Sequence, residues 1–280
     1  MTARLPAATR TPRPRRETGT SGCPPAARSL GLALALALAG SGCADRRDPP
    51  RTAEVPAPVP RHTVPVAAGD ASVPTPPPGP AAALARTDVS AFAQPGGKGR
   101  ELFFPARQPW GEPTVFLVRG RRRDPAGATW YRVLLPHRPN GLSGWVRGDQ
   151  VRVEPRAHRV EIDLGERRLT LLRDDRPLAT WPVGIGKPGT PTPTGHFFVT
   201  TRLRPPRIAR VFGAWALGLS AYSRELDQFG TGDGQIALHG TEQAAALGHA
   251  VSNGCVRLDN RAISTLAASL SLGSPVTIHS

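Results

Sequence analysis

Proline and alanine dominate residues 43 to 86, and this composition most constrains what the chain can fold into. The segment contains "EVPAPVPRHTVPVAAGDASVPTPPPGPAAA" and almost no aromatic residues. Such a sequence buries too little apolar area to offset the loss of chain entropy, and proline keeps it extended. We predict a disordered tether over 43–86, which leaves the folded part of the chain to the residues that follow.

An export signal precedes the tether. Residues 1–28 are rich in arginine, residues 30–40 form the apolar run "LGLALALALAG", and "SGC" follows. These are the three parts of a secretory signal, and the run is shorter than the roughly 20 residues of a membrane-spanning helix. The stretch "LAGSGCA" resembles a bacterial lipobox, although Gly40 stands where leucine is usual. We expect residues 1–42 to be a signal peptide and Cys43 to carry a lipid, with an ordinary cleaved signal as the alternative.

The positive charge of the chain suits an extracytoplasmic location. Residues 1–42 hold six arginines and Glu17, so removal of the signal lowers the formal charge from +15 to +10. A charge of this sign favours attraction to an anionic cell envelope. Nucleic-acid binding is the rival interpretation, but export argues against it and the chain has no platform of interleaved aromatic and basic residues. We therefore expect no nucleic-acid partner.

Cys255 is the one cysteine that would remain as a free thiol in the mature chain. The sequence holds three cysteines, and cleavage before Cys43 would remove Cys23 and leave Cys43 for acylation. Exported proteins usually use cysteines in pairs. A single internal thiol therefore indicates chemistry, with a buried core cysteine as the alternative.

Two β-rich regions follow the tether. Between 87 and 155, short runs rich in valine, tryptophan and tyrosine alternate with turn sequences such as "RRRDPAG", which predicts a small all-β domain. The stretch "WYRVLLPHRPNGLSGWV" resembles bacterial SH3-like domains, which implies a small barrel that binds wall or peptide, or serves only as a spacer. Between 158 and 280, alternating apolar residues predict further strands, and one helix after the cysteine, capped by Asp259 or Asn260. The predicted fold is mostly β.

His239 is the best-placed base for a cysteine nucleophile among the seven histidines. It ends the apolar strand "QIAL" and precedes "GT", so the imidazole emerges where the strand ends. Taken alone, a histidine in this position is more often a hydrogen-bonded core residue. His196, after a proline-rich loop, and His249, six residues before the cysteine, are the nearest competitors.

The stretch "HGTEQAAALGHAVSNGCVRLDN" resembles the signature of the YkuD-type L,D-transpeptidases. That signature has histidine-glycine-threonine, a spacer, then serine, a variable residue, glycine, cysteine, a hydrophobic residue and arginine. His239 and Cys255 are 16 positions apart, within the spacing of the family. The loop "PTPTG" upstream is also characteristic. Many members have histidine where this chain has Asn253, so the contribution of that position to substrate binding is open.

The resemblance implies a catalytic β-sandwich over 158–280 and assigns roles to its residues. Cys255 would be the nucleophile and His239 its base, and the main-chain carbonyl of Gly240 would orient the imidazole. The oxyanion hole would consist of three main-chain amides, those of Asn253, Gly254 and Cys255. Glycine lets the backbone come that close to a substrate.

Arg257 lies two residues after the cysteine. A cation lowers the pKa of a nearby thiol, and a guanidinium can hold a substrate carboxylate through two hydrogen bonds. A structural ion pair with Asp259 or Glu242 is the alternative. Ser252 and Thr241 either position the loop through their hydroxyls or serve ordinary turn chemistry.

The function implied by the resemblance is that of an exported, membrane-attached peptidoglycan L,D-transpeptidase, an acyltransferase facing the cell wall. Cys255 would attack the carbonyl between the third and fourth residues of a stem peptide, release D-alanine, and pass the acyl group to a neighbouring stem as a 3→3 cross-link. Peptidoglycan stem peptides are the expected partners and carbapenems the expected inhibitors, and no cofactor or metal is expected. Hydrolysis, as in an L,D-carboxypeptidase, and a non-catalytic wall-binding protein are the alternatives.

Overall fold

The structure is a computed structural model, and it describes residues 79–206, 211–228 and 232–280. The predicted signal peptide, Cys43 and nearly all of the predicted tether lie outside the described residues. Within the described ranges the chain forms 17 strands, β1 to β17, and one α-helix, α1. The prediction of a mostly β fold is confirmed.

Seven antiparallel strands form the first sheet, in the order β3-β2-β6-β5-β4-β1-β7. The strands are β1 Ala81–Ala85, β2 Val89–Gln94, β3 Lys98–Phe104, β4 Val115–Arg123, β5 Thr129–Leu134, β6 Ser143–Arg147 and β7 Val151–Pro155. Phe104 and Phe116 are buried in its core and pack edge to face, with ring centroids 5.2 Å apart. The resemblance of this region to SH3-like domains stays a prediction.

Strand β1 corrects one boundary of the predicted tether. Residues 81 to 85, assigned to the tether on composition, pair with β4 and β7 and are largely buried. Alanine has a low strand propensity, so "AAALA" does not itself predict a strand. Packing decides the matter, because a Cβ at Gly273 would lie only 2.2 Å from the Cβ of Ala82. Small side chains are what this crowded contact accepts, and the folded part begins before residue 86.

Eight strands form the second sheet, in the order β10-β9-β8-β17-β12-β13-β14-β16. The strands are β8 His158–Asp163, β9 Arg168–Arg173, β10 Arg176–Pro182, β12 Gly195–Leu203, β13 Ala216–Tyr222, β14 Gln235–Thr241, β16 Val256–Asp259 and β17 Pro275–His279. Two of the pairings, β8 with β17 and β14 with β16, are parallel. A separate parallel pair joins β11 Ile185–Gly186 and β15 Ala250–Ser252.

Helix α1, Asn260–Ser269, follows β16 and packs against β14 and β16. Asp259 is its N-cap, since a carboxylate oxygen of Asp259 accepts a 2.8 Å hydrogen bond from the Ala262 amide. Ile263 and Leu266 lie on its buried face. Among the described residues, no helix is long and apolar enough to cross a membrane.

The two sheets share a buried contact. Ala82, Leu84, Val115 and Leu117 of the first sheet form one apolar cluster with Phe198 of β12. Polar contacts flank this cluster: the Arg156 Nε donates to the Leu272 carbonyl at 2.7 Å, and the Gln108 side-chain amide donates to the Thr200 carbonyl at 3.3 Å. The first sheet is therefore packed on the second rather than separated from it by an exposed linker.

Candidate active site around Cys255

Two neighbouring parallel strands bring the histidine and the cysteine to one cleft. In the β14–β16 pair, Leu238 lies opposite Val256 and His239 opposite Arg257. Cys255 directly precedes β16 in the chain. His239, Cys255 and Arg257 all line the same cleft. Three residues singled out from the sequence are thus neighbours near the start of β16, and His239 lies inside β14 rather than at its end, because the pairing with β16 continues to Thr241.

The imidazole of His239 is held by its own neighbour in the chain. The residue is only 3% exposed, and its Nδ1 lies 2.7 Å from the carbonyl oxygen of Gly240. Because a carbonyl oxygen only accepts, Nδ1 carries the hydrogen and Nε2 keeps its lone pair. The ring of Phe212 packs against the imidazole edge to face, with centroids 5.2 Å apart.

Burial lowers the pKa of His239 to about 4, an effect that the hydrogen bond to Gly240 opposes and the positive charge of Arg257 reinforces. The imidazole is therefore neutral at pH 7, which is the state that a general base requires. A neutral ring with a free Nε2 can accept the proton of a thiol.

Burial also raises the pKa of the Cys255 thiol, while a hydrogen bond from the Ala237 backbone and the charge of Arg257 act in the opposite direction. From the sequence we expected the arginine to lower this pKa. The direction of that contribution is as expected, but burial outweighs it and the net shift is upward. The pair rests as a neutral thiol and a neutral imidazole, so the proton has to move during the attack.

Ser252 and Gly254 shape the turn that presents the cysteine. The Ser252 hydroxyl accepts from the Gly254 amide at 3.1 Å and donates to the Cys255 carbonyl at 2.6 Å. Gly254 has φ +113°, and a Cβ there would lie 2.9 Å from the side chain of Ile236. The Gly254 amide already donates to Ser252. Of the three amides predicted to form the oxyanion hole, this one is therefore less available to a substrate oxygen. Asn253 lines the cleft.

A buried threonine of the proline-rich loop, Thr192, supports this turn, and this role was not predicted from the sequence. Thr192 donates to the Gly254 carbonyl at 2.9 Å and accepts from the Gly186 amide at 2.9 Å. Thr190 donates to the Ser252 carbonyl at 3.3 Å. The sequence does contain a signal for this role, because Thr192 lies between two prolines. Proline has no backbone N–H, so a side-chain hydroxyl is needed to donate hydrogen bonds in such a loop.

Arg257 has unused hydrogen-bonding capacity. Its Nε is buried and has no hydrogen-bond partner among the described residues, and its Nη1 lies 3.5 Å from the Gln243 side chain. The alternative ion pair is not formed: Asp259 caps α1, and Glu242 accepts from the Asn260 side chain. A buried donor without a partner is costly, which favours a bound anionic group at this place.

Gly213 and Asn260 fix the turn after His239, and neither was assigned this role from the sequence. A Cβ at Gly240 would lie 2.3 Å from Oδ1 of Asn260, and one at Gly213 would lie 2.5 Å from the Gly240 carbonyl carbon. The same Oδ1 accepts a 2.8 Å hydrogen bond from the Ala214 amide. The glycine of the histidine-glycine-threonine motif is therefore required by close packing.

The other candidate residues lie outside the cleft. His196 approaches the Thr277 hydroxyl at 3.3 Å, and His249 is exposed. The Thr241 hydroxyl accepts from the Gln243 amide at 3.1 Å, which is local turn chemistry. The described residues hold no group of three or more His, Cys, Asp or Glu side chains that could bind a metal ion.

Comparison with known proteins identifies the domain that holds this cleft. Residues 157–278 match the family model of the L,D-transpeptidase catalytic domain, YkuD. This segment is an L,D-transpeptidase catalytic domain, and the recognition of the family from the sequence is confirmed over it.

Two curated relatives come from Bacillus subtilis (strain 168), and both are named as candidate L,D-transpeptidases. YkuD is 35% identical over 122 residues, which cover 44% of this chain and 66% of that protein. YqjB is 32% identical over 114 residues, which cover 39% of this chain and 64% of that protein. The chain thus spans slightly less than two thirds of the length of these relatives.

Solved structures show a partial likeness. Bd1075 of Bdellovibrio bacteriovorus is 28% identical, with 44% of this chain and 48% of that chain covered and a TM-score of 0.36. An L,D-transpeptidase from Mycobacterium tuberculosis H37Rv is 16% identical, with 60% and 90% covered and a TM-score of 0.39.

Proposed function

We propose that this protein is a peptidoglycan L,D-transpeptidase that forms 3→3 cross-links through a cysteine acyl-enzyme. One observation carries the proposal: His239, with Nδ1 held by the Gly240 carbonyl, lines one cleft with Cys255. A neutral imidazole that shares a cleft with the one free thiol of the described residues is the arrangement that nucleophilic acyl transfer needs. The match of residues 157–278 to an L,D-transpeptidase catalytic domain supports the same reaction class.

The proposed reaction has two steps. In the first, Nε2 of His239 takes the thiol proton while the sulfur of Cys255 attacks the carbonyl between the third and fourth stem residues. The carbon–nitrogen bond breaks, the proton passes to the departing amine of D-alanine, and a thioester remains. In the second step, an amine of a neighbouring stem attacks the thioester, loses a proton to His239, and restores the thiol.

Arg257 is suited to bind the acyl donor. The fourth stem residue ends in a carboxylate one residue from the bond that breaks, and the guanidinium at the cleft has a buried Nε without a partner. A guanidinium holds a carboxylate through two parallel hydrogen bonds. We propose that this contact orients the stem for attack by Cys255.

Mass spectrometry of tetrapeptide stems incubated with the purified protein tests the proposal. A cross-linked dimer that has lost one D-alanine is the expected product, and Cys255→Ala should abolish it. Tripeptide without dimer would instead assign the protein to L,D-carboxypeptidases. Unchanged tetrapeptide would favour the non-catalytic, wall-binding alternative.

A carbapenem offers a second test of the acyl-enzyme, because its strained ring presents an acyl carbon like that of the stem. Intact-protein mass spectrometry should show one adduct, and digestion should map it to the peptide that contains Cys255. Cys255→Ala should remove the adduct. An adduct on any other residue would contradict the assignment of the nucleophile.

We also propose that the protein is exported and attached to the membrane through an acylated Cys43. The lipobox-like "LAGSGCA" supports this, and each buried methylene of an acyl chain contributes about 0.8 kcal/mol to membrane binding. Fractionation and lipid labelling should find the wild type with membranes and Cys43→Ala released. Equal membrane binding of the two proteins would overturn the anchor.

A further inference from the structure

The connection between β5 and β6 of the first sheet contacts one wall of the cleft that holds Cys255. This wall consists of residues 222–226 and 233–234, at the end of β13 and before β14. Arg138, in this connection, donates hydrogen bonds to three main-chain carbonyls: Ser223 at 2.6 Å, Leu226 at 3.0 Å and Asp233 at 2.8 Å. A guanidinium is the side chain suited to this task, because its planar fork carries five donors in fixed directions. One side chain of the β5–β6 connection thus binds three main-chain carbonyls of the connection between β13 and β14.

Asn140, two residues further along, makes a matched pair of contacts. Its Oδ1 accepts from the Tyr222 amide at 2.9 Å, and its Nδ2 donates to the Tyr222 carbonyl at 2.8 Å. The Tyr222 hydroxyl donates to the Pro136 carbonyl at 3.1 Å, and the Arg138 guanidinium lies over the ring, 5.0 Å from its centroid. Burial raises the pKa of Tyr222 to about 12, so the hydroxyl remains a donor at neutral pH.

The residues that Arg138 and Asn140 contact belong to a wall of the cleft. Ser223, Leu226 and Gly234 face the same cleft as Cys255, whereas neither Arg138 nor Asn140 lines it. The packing at this wall is close: Gly234 has φ +75°, and a Cβ there would lie 2.2 Å from the Leu226 carbonyl oxygen and 2.7 Å from Nη2 of Arg138. The position of the wall therefore depends on side chains from the first sheet.

We propose that Arg138 and Asn140 are positioning residues for the acyl donor, and that the first sheet sets the wall against which the stem peptide binds. The proposal rests on the proposed transpeptidase function and names a part of its substrate site. The first sheet then has a role other than wall binding or spacing. It acts through the main chain of Tyr222–Leu226 and Asp233–Gly234, without touching the reacting atoms.

Steady-state kinetics with a tetrapeptide donor test the proposal on the full chain. Arg138→Ala and Asn140→Ala should each raise KM about tenfold or more and change kcat much less, since the lost interactions position the donor rather than the thiol. Arg138→Lys should recover only part of the affinity, because an ammonium cannot serve three carbonyls in the geometry of the fork. Alkylation of Cys255 by iodoacetamide should keep the wild-type rate in all three variants.

Arg156→Ala is the matched control. Arg156 also links the two sheets, through its 2.7 Å hydrogen bond to the Leu272 carbonyl, but neither residue lines the cleft. This variant should lose stability and keep its KM. An unchanged KM in Arg138→Ala, or an equal rise in Arg156→Ala, would overturn the positioning role.

Hydrogen exchange separates failure of this inference from failure of the proposed function, because it needs no turnover. The amides of residues 222–226 should exchange faster in Arg138→Ala than in the wild type, while those of β16 and α1 should not change. If the wild type forms no cross-link, the proposed function fails and exchange still decides the contact. If Arg138→Ala does not fold, Asn140→Asp, which keeps the acceptor and loses the donor, provides the same measurements.

Discussion

His239 and Cys255 show how burial sets the resting charge of a catalytic pair. The same loss of hydration that lowers the pKa of the imidazole to about 4 raises the pKa of the thiol, because each shift favours the uncharged form. Their neighbour Arg257 disfavours a charged imidazole and favours a thiolate. Between these two pKa values both groups are neutral, and attack by sulfur depends on proton transfer to Nε2.

We predict a broad pH range of constant reactivity for this pair. The rate of Cys255 acylation by a carbapenem should be nearly independent of pH between about 5 and 8, and it should fall below about 4, where His239 gains its proton and ceases to be a base. His239→Ala should slow acylation by roughly 10²–10⁴-fold. His196→Ala and His249→Ala are the controls and should react like the wild type, and an inflection near pH 6.5 in the wild type would contradict the buried, neutral imidazole.

Arg257→Lys should be a poor replacement if the guanidinium binds the stem carboxylate through two hydrogen bonds. We expect kcat/KM to fall by more than about tenfold, near 1.4 kcal/mol of transition-state stabilisation, because an ammonium lacks the fork. Arg261→Lys, on the exposed face of α1, is the matched control and should keep full activity. Full activity of Arg257→Lys would assign that residue to structure.

At the scale of elements, the position of the cysteine depends on hydrogen bonds between two loops, the proline-rich loop that contains Thr192 and the turn 252–255. The turn 252–255 is stabilised internally by the Ser252 hydroxyl and externally by Thr192, whose hydroxyl joins the Gly254 carbonyl to the Gly186 amide. Both partners of Thr192 are main-chain groups in buried surroundings. The hydroxyl therefore satisfies one donor and one acceptor at the position where the backbone bends and places Cys255 at the cleft.

Thr192→Val tests this support with almost no change of shape. Removal of the hydroxyl leaves two buried main-chain groups without a partner, so we expect a loss of about 2 kcal/mol in the free energy of unfolding and slower acylation of Cys255. Denaturant titration and carbapenem kinetics measure the two effects. Thr190→Val removes a longer, partly buried hydrogen bond and should cost less. Equal effects of the two variants would argue against a special role for Thr192.

At the scale of the whole molecule, the buried cluster between the sheets couples their stability. Leu117 of the first sheet is 3% exposed and packs in one cluster with Phe198 of the second, so each sheet covers apolar surface of the other. Separation of the sheets would expose this surface to water, at about 25 cal/mol per Å². The two sheets are therefore expected to unfold together.

Leu117→Ala should lower the free energy of unfolding by roughly 2–4 kcal/mol, through lost burial and the cavity that remains. Hydrogen exchange should show weaker protection in both sheets, including β12 and β17. Leu178→Ala, at a leucine that is 54% exposed, should change stability by less than about 0.5 kcal/mol. Loss of protection confined to the first sheet would show that the sheets unfold independently.

The sequence by itself determined the features that depend on residues close together in the chain. Alternating apolar residues indicated strands, the apolar face after Asn260 indicated α1, and the motif around His239 and Cys255 indicated the family. Strand alternation and helix periodicity are local properties, and so is a turn that carries a nucleophile. For this reason the mostly β fold and the family of residues 157–278 could be predicted from the sequence.

Only the tertiary structure decided the features that depend on distant neighbours. The alanines of β1 are a strand because β4, β7 and Gly273 surround them, and the net pKa shift of Cys255 is upward because burial exceeds the effect of Arg257. Arg138 reaches carbonyls 85 to 95 residues further along the chain. Burial and side-chain contacts at such separations follow from packing, which no local pattern of residues specifies.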